Sequence, residues 1–135
     1  MMLVSTQAVA GDLALGDSIA LGTGRALGVH TVARVGASSC WIAAKAPAGR
    51  FDRVVVSAGI NDPPGPCVGA IRKALEGRVG QVVFIVPART SAATNVLAVA
   101  AEHGDSVVRY VAGRDRTHPQ SYVAVARAVR AAWGR

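Results

Sequence analysis

Four short stretches of the chain carry side chains suited to acyl-transfer chemistry. Ser18 lies in Gly16-Asp17-Ser18-Ile19-Ala20-Leu21-Gly22, directly after the apolar run Asp12 to Gly16. A serine at such a strand-to-helix turn acts as a helix N-cap, or it exposes a hydroxyl beside backbone amides, where a nucleophile would work. Asp17 reads as a carboxylate bonded to the turn, because a serine nucleophile needs a histidine base. Gly36-Ala37-Ser38-Ser39 follows a second strand-like run. Gly36 either permits a close turn or points its N–H into an anion-binding space, and Ser38 and Ser39 read as caps of the next helix. In Ser57-Ala58-Gly59-Ile60-Asn61-Asp62-Pro63, Asn61 makes an Asx turn or offers a neutral amide donor to a developing oxyanion. Asp62 would hold that loop in shape. In Asp115-Arg116-Thr117-His118-Pro119, His118 is a residue of a helix start, or an imidazole held by Asp115 at one ring nitrogen. Its other nitrogen would then take the serine proton. His30 and His103 lack a comparable neighbour and read as structural.

These stretches need elements to bring them together. Asp12–Gly16, Arg53–Ala58 and Gln81–Val86 are continuous apolar runs, as expected of strands buried on both faces of a parallel sheet. Val29–Val35 and Ser106–Val111 are interrupted by polar or charged residues and suit its edges. Helices are predicted over Ser18–Leu27, Ser38–Ala46, Pro66 to about Glu76, Ala92–His103 and Pro119–Ala132. Glycines at 77, 104 and 134 follow the last three, and Pro66 suits a first helical position. Strict alternation of strand and helix predicts a three-layer α/β/α sandwich, with a five-stranded parallel sheet in the flavodoxin-like order 2-1-3-4-5. In such sheets ligands bind beyond the carboxyl ends of the strands, near the reversal of strand order, here beside the first strand. One domain over residues 1–135 is expected, with its core over about 12–132 and no internal repeat. Pro63 to Pro66 reads as a rigid surface turn, and Leu3-Val4-Ser5 as a small extra strand or a segment lying across the domain.

The four stretches, taken in order, resemble the SGNH, or GDSL-like, hydrolase family of esterases, lipases, thioesterases and carbohydrate acetylesterases. The similarity lies in Gly16-Asp17-Ser18 with Gly22, the isolated Gly36, Gly59-Ile60-Asn61-Asp62, and Asp115-x-x-His118-Pro119. Tyr122 and the alanine-rich segment after it are similar to the family's closing helix, so the likeness runs from about Asp12 to Val129. It implies Ser18 as nucleophile, His118 as general base and Asp115 as the acid that orients it. An oxyanion hole would come from the N–H groups of Ser18 and Gly36 and the amide of Asn61, with no metal or cofactor. The chain departs from the family in being short between Asn61 and Asp115, which implies an open, shallow site. Such a site favours a small acyl group, such as acetyl, on a glycan or other large carrier. A structural or binding protein of a phage or other assembly, with reduced or no catalysis, is the alternative. A flavodoxin-like nucleotide binder is disfavoured, because the first turn carries neither GxGxxG nor GxxxxGK[ST].

Composition sets outer bounds. The 135 residues are 51% hydrophobic and 17% charged, which supports a folded core and excludes a disordered chain. Lys and Arg number 15 against 8 Asp and Glu, a formal charge of +7. The excess is scattered arginine without zinc-finger spacing or a basic arm, so no specific nucleic-acid partner is expected. Arg89, Arg114 and Arg116 are expected around the carboxyl-end face, where they either confer solubility or steer an anionic acylated substrate. Cys40 and Cys67 are expected as two buried thiols, with one disulfide as the alternative. The first ten residues lack a signal-peptide pattern, and no run approaches the ~20 apolar residues of a membrane span. A soluble protein is expected, cytoplasmic or particle-associated.

Overall fold

The computed structural model describes residues 11–62 and 67–134. The expected turn at Pro63 to Pro66, the helix start at Pro66 and the strand near Leu3 lie outside them. Five parallel strands form one sheet: β1 Asp12–Gly16, β2 His30–Ala33, β3 Phe51–Ser57, β4 Val79–Ile85 and β5 Ser106–Val108. Their order is β2-β1-β3-β4-β5, with β2 and β5 at the edges as their broken patterns predict. The helices are α1 Ser18–Leu27, α2 Ser39–Lys45, α3 Val68–Leu75, α4 Thr90–His103 and α5 Tyr122–Trp133.

The alternation of side chains along β3 explains the layers. Val54 and Val56 join Leu13, Leu15 and Phe84 in a core packed against α2, α3 and α4 through Ile42, Ile71 and Val96. Val55 points the other way, with Ala14, Val83 and Ile85, against Ile19 of α1 and Val125, Val129 and Trp133 of α5. Both faces are therefore dry, which is why the central strands read as unbroken apolar runs. Gly16 pairs with Ala33 on one side and Ser57 on the other, so β1, β2 and β3 end level with one another. A Cβ at Gly16 would lie 1.9 Å from the Ser57 carbonyl oxygen, so no side chain fits there.

Most bounds shift by no more than two residues from expectation, and two elements, α5 and β5, differ by more. The last helix begins at Tyr122 rather than Pro119, because the preceding residues pair with the chain leaving β5. Gln120 N–H donates to the Val111 carbonyl and Gly113 N–H to the His118 carbonyl, both at 2.8 Å. Residues 111–120 thus form a small antiparallel excursion, and Ser121 caps α5 by accepting from Ala124 N–H. This excursion also cuts β5 short at Val108. The cysteines are not free thiols. Neighbouring α2 and α3 bring the Cα atoms of Cys40 and Cys67 to 4.8 Å, and the two form a disulfide. Among the described residues no helix is long and apolar enough to cross a membrane.

The bridge closes a loop across a sequence separation of 27, which restricts the unfolded chain. Replacing Cys40 and Cys67 together by serine should lower stability by about 3–4 kcal/mol. Urea unfolding of the oxidised protein against the double variant, with matched slopes, measures the difference.

Candidate active site

Asp17 and Ser18 are both suited to capping, and the backbone decides between them. Asp17 is extended, with φ −95° and ψ −161°, and stands at the N-cap, while Ser18 is the first helical residue. Asp17 Oδ1 accepts from Ile19 N–H at 3.0 Å and Ala20 N–H at 3.4 Å, and the Asp17 carbonyl accepts from Leu21 N–H. The capping reading of Ser18 is thereby corrected: its hydroxyl is not used by the helix. Among the described residues its N–H has no hydrogen-bond partner either, as expected of one of the orphan donors at a helix start.

The Ser18 hydroxyl instead meets a residue 100 positions away. Its Oγ lies 2.9 Å from His118 Nε2. His118 Nδ1 lies 2.6 Å from Asp115 Oδ2, and Asp115 Oδ1 accepts from Thr117 N–H and His118 N–H, both at 2.9 Å. Those two amides, followed by the imidazole, hold the Asp115 carboxyl down to about 2, so it stays ionised beside the ring. A carboxylate at Nδ1 fixes the tautomer with a proton there and leaves Nε2 as the acceptor facing Ser18. The arrangement remains open to solvent: the His118 and Asp115 side chains are 44% and 54% exposed. A recess of about 770 Å³, lined by residues including Arg114 and Gln120, opens beside them.

The level ends of β2 and β3 supply the other predicted residues. Gly36 is exposed with φ +77°, a left-handed conformation that favours glycine, and among the described residues its N–H is unpaired. Among the described residues Asn61 makes no Asx turn. Its Nδ2 donates to the Ala37 carbonyl at 3.1 Å, which orients the amide and, among the described residues, leaves one of its two protons unspent. Asp62 Oδ1 accepts from Ser39 N–H at 2.6 Å, Ser39 Oγ accepts from Cys67 N–H at 3.0 Å, and the disulfide follows. The loops after β2 and β3 are thus laced together. Ser38 caps α2, as expected, by accepting from Trp41 N–H, whereas Ser39 serves the neighbouring loop.

Of the predicted arginines, Arg114 and Arg116 are exposed on either side of Asp115, Arg116 at a left-handed φ of +60°. The Arg89 guanidinium donates to the Ile60 carbonyl. Sequence reasoning missed that bond and held the disulfide only as the alternative to two thiols. It also missed Tyr110, whose hydroxyl bonds to Ala88 N–H and the Thr117 carbonyl. The scarcity of tyrosine, two in the chain, was the one available signal for Tyr110. Tyr122 packs directly over Gly22, where a Cβ would come within 2.5 Å of its ring, so α1 and α5 approach closely one turn from Ser18. Among the described residues no group of three or more His, Cys, Asp or Glu side chains is placed to hold a metal ion.

No family model matches the chain, and no curated protein does. Among solved structures it resembles a GDSL-like lipase from Bacteroides thetaiotaomicron. The likeness covers 96% of this chain and 91% of that one at a TM-score of 0.62 and 16% identity. The likeness shows the fold.

Asp17 is fully buried, and among the described residues its Oδ2 has no hydrogen-bond partner. Burial pushes its carboxyl up to about 6 from 3.8, against the opposing pull of the nearby Ser57 hydroxyl and the Ala20 and Ile19 amides. A carboxyl that holds its proton more tightly when folded favours the fold most below pH 4. That advantage is lost as pH rises through about 6. The shift corresponds to about 3 kcal/mol. Asp17→Asn keeps the capping oxygen and removes the ionisation. Urea unfolding between pH 4 and 7 should show the wild type losing stability relative to this variant, with the difference level above about pH 7.

Proposed function

We propose that the protein is a serine hydrolase of carboxylic esters, acting as a single domain to remove a small acyl group, such as acetyl, from a glycan or other large carrier. One observation carries the reading: the unbroken contact from Ser18 Oγ through the His118 ring to Asp115, assembled from opposite ends of the chain. In the first step Ser18 Oγ attacks the ester carbonyl while His118 Nε2 takes its proton. Asp115 steadies the imidazolium. The oxyanion accepts from the N–H groups of Ser18 and Gly36 and the free Asn61 amide proton. Collapse breaks the ester C–O bond, and His118 returns the proton to the departing alcohol. Water, deprotonated by His118, then attacks the acyl-enzyme and releases the acid and Ser18. This sequence needs no metal or cofactor. Asp17 and Asp62 act behind it, one shaping the nucleophile's turn and the other holding the Asn61 loop.

The exposure of His118 and Asp115 and the adjoining recess support a large carrier over an enclosed lipid chain. Arg114 and Arg116, with Arg89 beyond them, make the surroundings cationic and support an anionic carrier. The Cys40–Cys67 bridge favours an oxidising compartment.

Hydrolysis of a short chromogenic acetyl ester tests the chemistry. Ser18→Ala should abolish turnover while the protein stays folded. Asp115→Asn should lower turnover by about 10⁴, and Asn61→Ala by about 10² to 10³ with little change in KM. Equal rates for wild type and Ser18→Ala would return the protein to the class of binding or structural proteins.

Salt tests the carrier's charge, because the Debye length falls from about 10 Å at 0.1 M to about 3 Å at 1 M. Added salt should depress kcat/KM for an anionic acetylated glycan more than for a neutral ester. Replacing Arg114 and Arg116 together by glutamine should flatten that difference. Matching salt profiles for the two substrates would remove steering from the proposal.

A further inference from the structure

Building on the hydrolase reading, we infer that the turn after β4, residues 87–89, is a clamp that sets His118 and Asn61 relative to each other, with Tyr110 and Arg89 as its two positioning residues. The turn contributes no reacting group. It leaves β4 rigidly, with Val86 buried and its N–H bonded to the Val108 carbonyl at 2.9 Å, and it leads into α4. From this base two links run in opposite directions.

One link runs from Ala88. Its N–H donates to the Tyr110 hydroxyl at 3.1 Å, and that hydroxyl donates to the Thr117 carbonyl at 2.7 Å. Burial, with the negative charges of Asp17 and Asp115 nearby, raises the Tyr110 phenol, so it remains a donor. The Thr117 carbonyl belongs to the peptide unit whose N–H is that of His118, and Asp115 Oδ1 holds that N–H at 2.9 Å. The unit from which His118 projects is therefore gripped at both polar atoms.

The second link runs from the next residue. The Arg89 guanidinium donates to the Ile60 carbonyl, which belongs to the peptide unit carrying the Asn61 N–H. Each link thus holds the peptide unit immediately before a proposed site residue, and both start from adjacent positions in one turn. Ala88 is exposed and Tyr110 and Thr117 are half-buried, so water reaches the groups freed at the Tyr110 link. Ile60 is buried, and Arg89→Lys keeps a donor for its carbonyl. Cutting a link should disturb geometry far more than folding.

The test uses a neutral short-chain ester, which removes any contribution of charge steering. Tyr110→Phe and Arg89→Ala should each lower kcat by about tenfold with KM within about twofold, and Arg89→Lys should recover most of the Arg89 loss. Both links fix one separation, so either cut releases it. The double variant should fall by about tenfold as well, rather than by the roughly hundredfold of independent sites. Amide hydrogen exchange supplies a readout independent of activity: Tyr110→Phe should speed exchange at His118, and Arg89→Ala at residues 59–62. Unchanged exchange, unchanged kcat in an active enzyme, or losses that multiply in the double variant would overturn the clamp. A wild type no faster than Ser18→Ala would instead overturn the hydrolase reading, and the exchange results alone would then decide the clamp.

Discussion

A helix starting at the end of a buried strand exposes amides that must find acceptors, and in α1 that demand is met by Asp17. Everything at the site depends on this assignment. Asp17 Oδ1 and the Asp17 carbonyl take three of the first four amides, so the Ser18 hydroxyl is released to face His118. The cost is a carboxyl in a dry place, with one oxygen unpartnered among the described residues and its ionisation opposed by desolvation. The fold tolerates it because the surrounding core is well filled on both faces of the sheet.

The two carboxylates nearest the site therefore sit in opposite environments. Asp17 is enclosed and reluctant to ionise, whereas Asp115 is in water, receives two backbone amides and stays charged beside the imidazole. Burial suits a group whose task is to cap, and exposure with fixed donors suits one that must hold a charge. The same contrast separates the two sides of the site. The Gly36 and Asn61 side is laced by Asn61 to Ala37, Asp62 to Ser39, Ser39 to Cys67 and the disulfide. The His118 side is a short excursion held by three backbone bonds and the Tyr110 hydroxyl.

Much of this was legible in residue order. Helix α1 has the predicted bounds, and the strand order follows from alternation together with the two interrupted patterns. The four candidate stretches fall at the carboxyl ends of strands or before the last helix, because strand and turn signals are local. Ser18 Oγ lies against one His118 ring nitrogen and Asp115 against the other. Less legible were events that depend on neighbours distant in sequence. Pro119 looks like a helix start, yet pairing with the chain beyond β5 delays α5 to Tyr122. Cys40 and Cys67 looked like two thiols until α2 and α3 lay side by side.

What the sequence by itself determined was periodic or local: which runs form strands, which residues punctuate them, and which chemistry-bearing types stand at their ends. Those properties are written in spacings of two to four residues, and a linear reading recovers them. Tertiary structure decided the use of each polar group, because one serine can cap, bond to a neighbouring loop or face a histidine with equal local propriety. Ser38 caps a helix, Ser39 braces the Cys67 backbone and Ser18 meets His118. The difference lies in which partner the packed sheet brings within 3 Å, and that distance exists only after residues 100 apart have been folded together.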